Sequence, residues 1–135
     1  MQKKSTPEQL NWRKHYMSTV MDNGEVHSWH VPNLWRLVEP LPVIKILVYD
    51  IYQTVKRHIE EEYIAEDWKR VAYADLSYPI IVNDLHGVVD GVHRIAKAYQ
   101  LNKRYINAKR IKTMPEPDMV FDTAEDYDSY FAKLS

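Results

Sequence analysis

Asp90, His93 and Arg94 flank Gly91 and Val92 in a single short run, Asp-Gly-Val-His-Arg. A carboxylate, an imidazole and a guanidinium so close together are suited to phosphate chemistry. The guanidinium fork can hold phosphate or carboxylate oxygens bidentately, and the imidazole can donate or move a proton near neutral pH. Asp90 has three roles open to it: capping a helix through a backbone N–H, holding Mg²⁺ against a phosphate, or acting as a base toward a hydroxyl. Gly91 fits a bend into a helix and would let a ligand approach the backbone. The unpaired amides and positive end of the helix dipole would then attract an anion.

The surrounding residues supply elements to hold that corner. Pro79 suits the first position of a strand, and Ile80-Ile81-Val82 is the β-branched run that follows. Asn83, Asp84 and Gly87 are turn formers, so Val88-Val89 is expected to return beside the first strand as a hairpin. A helix then begins, with Ile95, Ala98 and Tyr99 on one apolar face and His93, Arg94 and Lys97 pointing elsewhere.

Asp90-Gly91-Val92-His93-Arg94 followed by Ile95-Ala96-Lys97-Ala98, placed after Pro79-Ile80-Ile81-Val82, resembles the signature of the ParB/sulfiredoxin-like superfamily over about residues 43–111. That superfamily includes ParB nucleotide-binding domains, sulfiredoxins, free serine kinases and ParB-like proteins proposed as nucleases. The resemblance implies that Gly91, Val92, His93 and Arg94 cradle nucleotide phosphates, with ATP, ADP or CTP as the class of nucleotide and Mg²⁺ as the companion ion. It places Asp90 and His93 beside the reacting phosphate, Asp90 also on the metal, and Arg94 on the phosphate. Sulfiredoxins carry a catalytic cysteine where this chain has Val92, and the chain contains no cysteine, so sulfinic acid reduction is not expected. Partition-type ParB proteins have an Arg-rich corner and a following helix-turn-helix, and neither is present in this sequence. The Asp-Gly-x-His-Arg form is similar to that of free serine kinases and small ParB-like proteins. Those kinases use a glutamate near the first core strand to activate the substrate hydroxyl, which makes Glu39 a further catalytic candidate.

The chain has 135 residues, 45% of them hydrophobic, about the size of one compact domain. A net charge of −1 argues against a generic nucleic-acid coat. The lack of cysteine removes disulfides, thiol catalysis and thiolate metal sites, and fits a reducing compartment. No apolar run is long enough to span a bilayer, and Met1-Gln2-Lys3-Lys4 lacks the apolar segment of a signal peptide, so a cytoplasmic protein without membrane contact is expected.

The sequence divides into an aromatic-rich N-terminal extension (1–37), a core (38–113) and an acidic tail (114–135). Thr6-Pro7-Glu8-Gln9 has the form of a helix start, and Trp12, Tyr16 and Val20 continue it as an apolar stripe that Asp22-Asn23-Gly24 ends. His27 and His30 would suit a metal on one helical turn, but no third ligand lies near, and packing around Trp29 and Trp35 is the plainer expectation. Residues 43–48 read as a strand buried along most of its length. Asp50 is the expected N-cap of a helix in which Ile51, Val55, Ile59 and Tyr63 repeat. Trp68, Val71 and Ala72 indicate a short helix; Asn102 is expected in the left-handed conformation after the corner helix; Tyr105 to Ile111 alternates as a strand; and Thr123 caps a last helix.

Arg94, Lys97, Lys103, Arg104, Lys109, Arg110 and Lys112 occur with no acid among them, whereas the tail is acidic. That block suits a polyphosphate or a nucleic-acid backbone, or is simply solvated. The expected protein is therefore an α/β (α+β) chain with a small mixed sheet flanked by helices, binding a nucleotide or other phosphorylated small molecule. Mg²⁺-dependent phosphohydrolase or phosphotransferase activity is the leading expectation. A non-catalytic module that senses a nucleotide, or binds a protein or nucleic-acid partner, is the alternative, and a ParB-like nuclease the third.

Overall fold

The computed structural model describes residues 15–85 and 87–133. In chain order their elements are β1 (Tyr16–Val20), β2 (Val26–His30), α1 (Val31–Val38), β3 (Ile44–Leu47), α2 (Val48–Glu62), α3 (Ala65–Tyr73), β4 (Ile80–Asn83), β5 (Val88–Asp90), α4 (Val92–Gln100), β6 (Tyr105–Ile111), β7 (Met119–Phe121) and α5 (Ala124–Ala132). The architecture is mixed α/β. None of these helices is long and apolar enough to cross a membrane. The chain forms two compact units: Val38–Met114, and Met1–Leu37 together with Pro115–Ser135. The two terminal segments therefore belong to one unit.

In the 38–114 unit the sheet runs β3-β6-β4-β5. β6 lies antiparallel to β3 and parallel to β4, and β4 and β5 form an antiparallel hairpin. The parallel pair requires a crossover, which the corner helix α4 supplies. Alternation along β6 turns Ile106 and Ala108 into a core shared with Ile80, Val82, Ile51, Ile59, Val71 and Ile95. Completely buried Ile80 and Ile95 join the central strand to the corner helix.

Several expectations here need correction. β3 is an edge strand in which only Ile46 is buried, while Leu47, and Val43 just before the strand, are exposed. Leu47, not Asp50, is the N-cap of α2; Asp50 falls within the first turn, and the Val48 amide donates to the Arg104 carbonyl at 2.9 Å. On α4, Ala96 is buried with Ile95 and Ala98, whereas Tyr99 is exposed. The end of α4 is as expected: Asn102 adopts φ 55°, and the Asn102 and Lys103 amides donate to the carbonyls of Tyr99 and Ala98.

The other unit is built on a β1-β2-β7 sheet. Tyr16 to Val20 is a strand, paired antiparallel with β2, and not the end of a helix. The rest of the predicted helix, including Thr6, Pro7 and Trp12, lies outside the described residues. Asp22-Asn23-Gly24 is the hairpin turn, closed by a Met21 amide to Glu25 carbonyl bond of 2.8 Å, with Gly24 at φ 89°. β7, between proline-rich residues and α5, is a strand the sequence reading did not contain. Phe131 of α5 is buried against Tyr16 and Phe121, and the Thr123 hydroxyl accepts the Asp126 amide as the expected cap.

Candidate functional site

The corner begins with the β4–β5 hairpin. The Asn83 side-chain oxygen accepts the amides of Leu85 and Gly87 and fixes the turn. The register then slips by one residue, since Val82 faces Val88 but Ile81 faces Asp90. Such a bulge re-aims the residue that follows it, here Asp90, immediately before the chain turns into α4.

Gly91 is the N-cap of α4 at φ 114°, where a side chain is strained. A Cβ there would stand 2.4 Å from Ile80 Cγ2 and 3.1 Å from Arg94 Nη1. The glycine thus lets α4 seat on the buried Ile80. The space a Cβ would take is closed, which corrects the expectation that the glycine opens that side to a ligand.

Gly91, as the N-cap of α4, has no side chain with which to cap the helix, and Asp90 stands one residue before it. Its Oδ2 instead stands 3.8 Å from Arg94 Nη2, an ion pair too long for a hydrogen bond. Arg94 Nη1 donates to the Pro79 carbonyl at 2.8 Å, anchoring the guanidinium at the start of β4. Both side chains remain partly exposed, at 22% for Arg94 and 27% for Asp90. The amides of Val92, His93 and Arg94 form the first turn, where helix geometry provides no internal partners.

His93 joins a second acid that sequence reasoning missed. Its Nε2 lies 3.2 Å from Asp67 Oδ1, while Asp67 Oδ2 accepts the Ile64 amide at 3.1 Å and so caps α3. An acid three residues after a helix start is a legible capping signal, but nothing in one dimension pairs it with a histidine 26 positions away. Tyr63 completes the surroundings, its ring 5.5 Å from His93 and 5.3 Å from Trp68. Its hydroxyl is buried with no hydrogen-bond partner among the described residues. Burial first, and the nearby Asp67 carboxylate second, raise its pKa well above the ordinary tyrosine value.

The sign of that shift gives a prediction. A raised phenol pKa means a contribution to stability fully present below the ordinary value of 10.0 and lost as pH rises beyond it. In an alkaline absorbance titration, Tyr63 is expected to ionise after the exposed tyrosines and together with unfolding. Tyr63→Phe should remove that last step; an unchanged titration would contradict the burial of this hydroxyl.

The corner therefore gathers Asp90, Gly91, Val92, His93 and Arg94, and adds Asp67. Glu39 is exposed in the turn after α1, and its carbonyl, not its carboxylate, accepts Lys109 Nζ at 2.6 Å. His27 and His30 lie three apart on a strand, which directs them to opposite faces, so the one-turn arrangement suited to a metal does not arise. Among the described residues, no group of three or more His, Cys, Asp or Glu side chains is placed to hold a metal ion.

The basic block is distributed over several structural tasks. Lys97 Nζ donates to the carbonyls of Ala72 and Ala74 at the C-terminal end of α3, and Lys109 holds Glu39. Lys103, Arg104 and Lys112 are exposed.

No protein-family model matches this chain, and neither the curated proteins nor the solved structures contain a significant match.

Proposed function

We propose that the 38–114 unit is a ParB/sulfiredoxin-like domain that binds a nucleotide by its phosphates at the start of α4. We infer that it carries out Mg²⁺-dependent hydrolysis or transfer of a phosphoryl group, as a cytoplasmic protein. One arrangement supports this reading: a helix whose N-cap is a glycine, with an anchored, partly exposed guanidinium in its first turn. Such a helix end favours an oxyanion through its amides and dipole, and the guanidinium adds a planar charge.

In this reading Arg94 and the amides of Val92, His93 and Arg94 hold phosphate oxygens on the side away from Ile80. Asp90 lies where it would repel that phosphate unless a divalent cation offsets the charge, and one carboxylate with phosphate oxygens and water is the usual setting for Mg²⁺. Mg²⁺ supplies neutralisation of charge on the phosphate when bound. Asp67 lies at hydrogen-bond distance from His93 Nε2 and orients the ring for proton exchange with a ligand. Glu39 is left as a candidate whose carboxylate would have to reach a second substrate.

The experiment is phosphate release from nucleoside mono-, di- and triphosphates with and without Mg²⁺, beside a direct binding measurement. Asp90→Asn is expected to keep nucleotide binding and lose at least tenfold in turnover. Binding without turnover in the unaltered protein would favour the second reading, a nucleotide sensor. That reading draws on the pairing of Asp90 with Arg94 and the contact of His93 with Asp67, which give each side chain a partner within the fold. A nuclease would be favoured only by cleavage of an oligonucleotide in the same assay.

A further inference from the structure

One hydrogen bond sets which way the backbone of β3 faces. The Val48 amide donates to the Arg104 carbonyl, on the register in which Ile46 faces Ile106 and Ile44 faces Ala108. In an antiparallel ladder that phase turns the amides and carbonyls of Ile44 and Ile46 toward β6, and those of Lys45 and Leu47 away from it. The Leu47 carbonyl is taken up by α2, whose N-cap it is, which leaves the Lys45 amide and carbonyl and the Leu47 amide on the outer side. Among the described residues no strand pairs there. Lys45 and Leu47 are exposed, as is Val43 before them.

A cleft of about 370 Å³ runs along the same strand, with Lys45, Ile46 and Leu47 on its strand side and Asp50, Ile51 and Thr54 of α2 on its helix side. Ile46 and Ile51 are buried together in the core and give it an apolar floor. A strand laid against β3 would put the residue opposite Ile46 on the sheet face that α2 covers, and so into this cleft. The residue opposite Lys45 would lie on the other face. Lys45 has the neutral Asn107 as its cross-strand neighbour on β6. A lysine in a short edge strand discourages indiscriminate pairing and favours a strand that brings an acid opposite it.

We propose that β3 binds an extended acidic peptide as a further antiparallel strand, with an apolar side chain in the cleft and a carboxylate side chain beside Lys45. Main-chain bonds to Lys45 and Leu47 supply affinity, and the cleft and the lysine read alternate side chains. A second copy of β3 does not fit. Paired about Ile46 it sets Lys45 against Leu47, and paired about Lys45 it sets like charges opposite each other. Four residues of strand also fall short of the area a stable dimer buries. The β3 edge shares no residue with the start of α4, so either proposal can fail alone.

The test is fluorescence anisotropy of the full chain with a short end-labelled peptide of alternating glutamate and valine, with its counterpart of lysine and valine, and with the acidic peptide N-methylated at the glutamates or at the valines. The acidic peptide is expected to bind about threefold or more tightly than the basic one, and Lys45→Glu to reverse that order. The peptide residue opposite Lys45 exchanges both bonds with it, so methylation at the glutamates should abolish binding and methylation at the valines should leave it. Leu47→Pro should keep the melting temperature, since Leu47 has φ −65° and its amide points out of the sheet, and should weaken peptide binding by about tenfold or more. The methylated peptides keep the test decisive if that variant does not fold. The proposal is overturned by absence of binding, by equal affinity for the acidic and basic peptides, by tolerance of methylation at the glutamates, or by a folded Leu47→Pro that binds as the unaltered protein does. It is also overturned if sedimentation shows a dimer that Leu47→Pro dissolves.

Discussion

Gly91→Ala is expected to destabilise the 38–114 unit by about 2–5 kcal/mol, enough to lower the melting temperature by roughly 10 °C or more. Two effects add. The φ of 114° is strained for any residue with a Cβ, and the new carbon would lie 2.4 Å from Ile80 Cγ2 in a fully buried position. Ile80 cannot retreat, since it is packed in the core on the central strand. Gly24→Ala is the matched comparison, at φ 89° but with nothing within 4 Å of the added carbon, so it isolates the backbone term at about 1 kcal/mol. Equal effects of the two substitutions in thermal unfolding would show that α4 does not rest on Ile80.

Ile95→Ala is expected to cost about 2–5 kcal/mol in urea unfolding, and Ile95→Val about 0.5–1.5 kcal/mol. Ile95 is fully buried one residue beyond Arg94, and its amide donates to the Gly91 carbonyl in the first turn of α4. The helix start is held from beneath by this side chain and from the side by Ile80. The loss of a large part of the side chain leaves a cavity under the candidate site, so nucleotide affinity should fall with stability in Ile95→Ala and stay near that of the unaltered protein in Ile95→Val. A cost below about 0.5 kcal/mol for the alanine variant would contradict the placement of Ile95 in the core.

The hairpin and corner were legible because their signals are local. Pro79, the β-branched run after it, the turn residues Asn83 and Gly87, and the glycine before an amphipathic segment each restrict the backbone within a few residues. Asn102 and Thr123 were legible for the same reason, being end residues whose side chains or conformations act on adjacent amides. β1 was misread because Tyr16 and Val20 satisfy a four-residue repeat and a two-residue alternation equally, and Asp22-Asn23-Gly24 ends a helix as readily as it turns a hairpin. Pairing with β2 decides between them, and that is tertiary information. Asp50 reads as a cap because it is a good capping residue, yet the Arg104 carbonyl, 56 positions from Val48, takes the first amide.

At the candidate site, the cluster Asp90 to Arg94 was visible in one dimension. What each member touches was not. The one-residue slip opposite Ile81, the reach of Arg94 to Pro79 and the bond from His93 to Asp67 all depend on how α3, α4 and β4 meet. Gly91 was singled out correctly but for a different reason, since close packing on Ile80 and not ligand approach requires it. The basic block likewise divides into separate tasks, with Lys97 and Lys109 donating to carbonyl oxygens.

The central claim is that the start of α4 holds phosphate through Arg94 and the adjacent amides. Thermal unfolding of the unaltered protein and of Arg94→Ala, across nucleoside mono-, di- and triphosphates with and without Mg²⁺, tests it most directly. A nucleotide at roughly 100 times its dissociation constant should add about 2.7 kcal/mol, a rise of roughly 10 °C, in the unaltered protein with Mg²⁺. Arg94→Ala should show none of it. An unchanged melting temperature with every nucleotide, or an equal rise in Arg94→Ala, would contradict the claim.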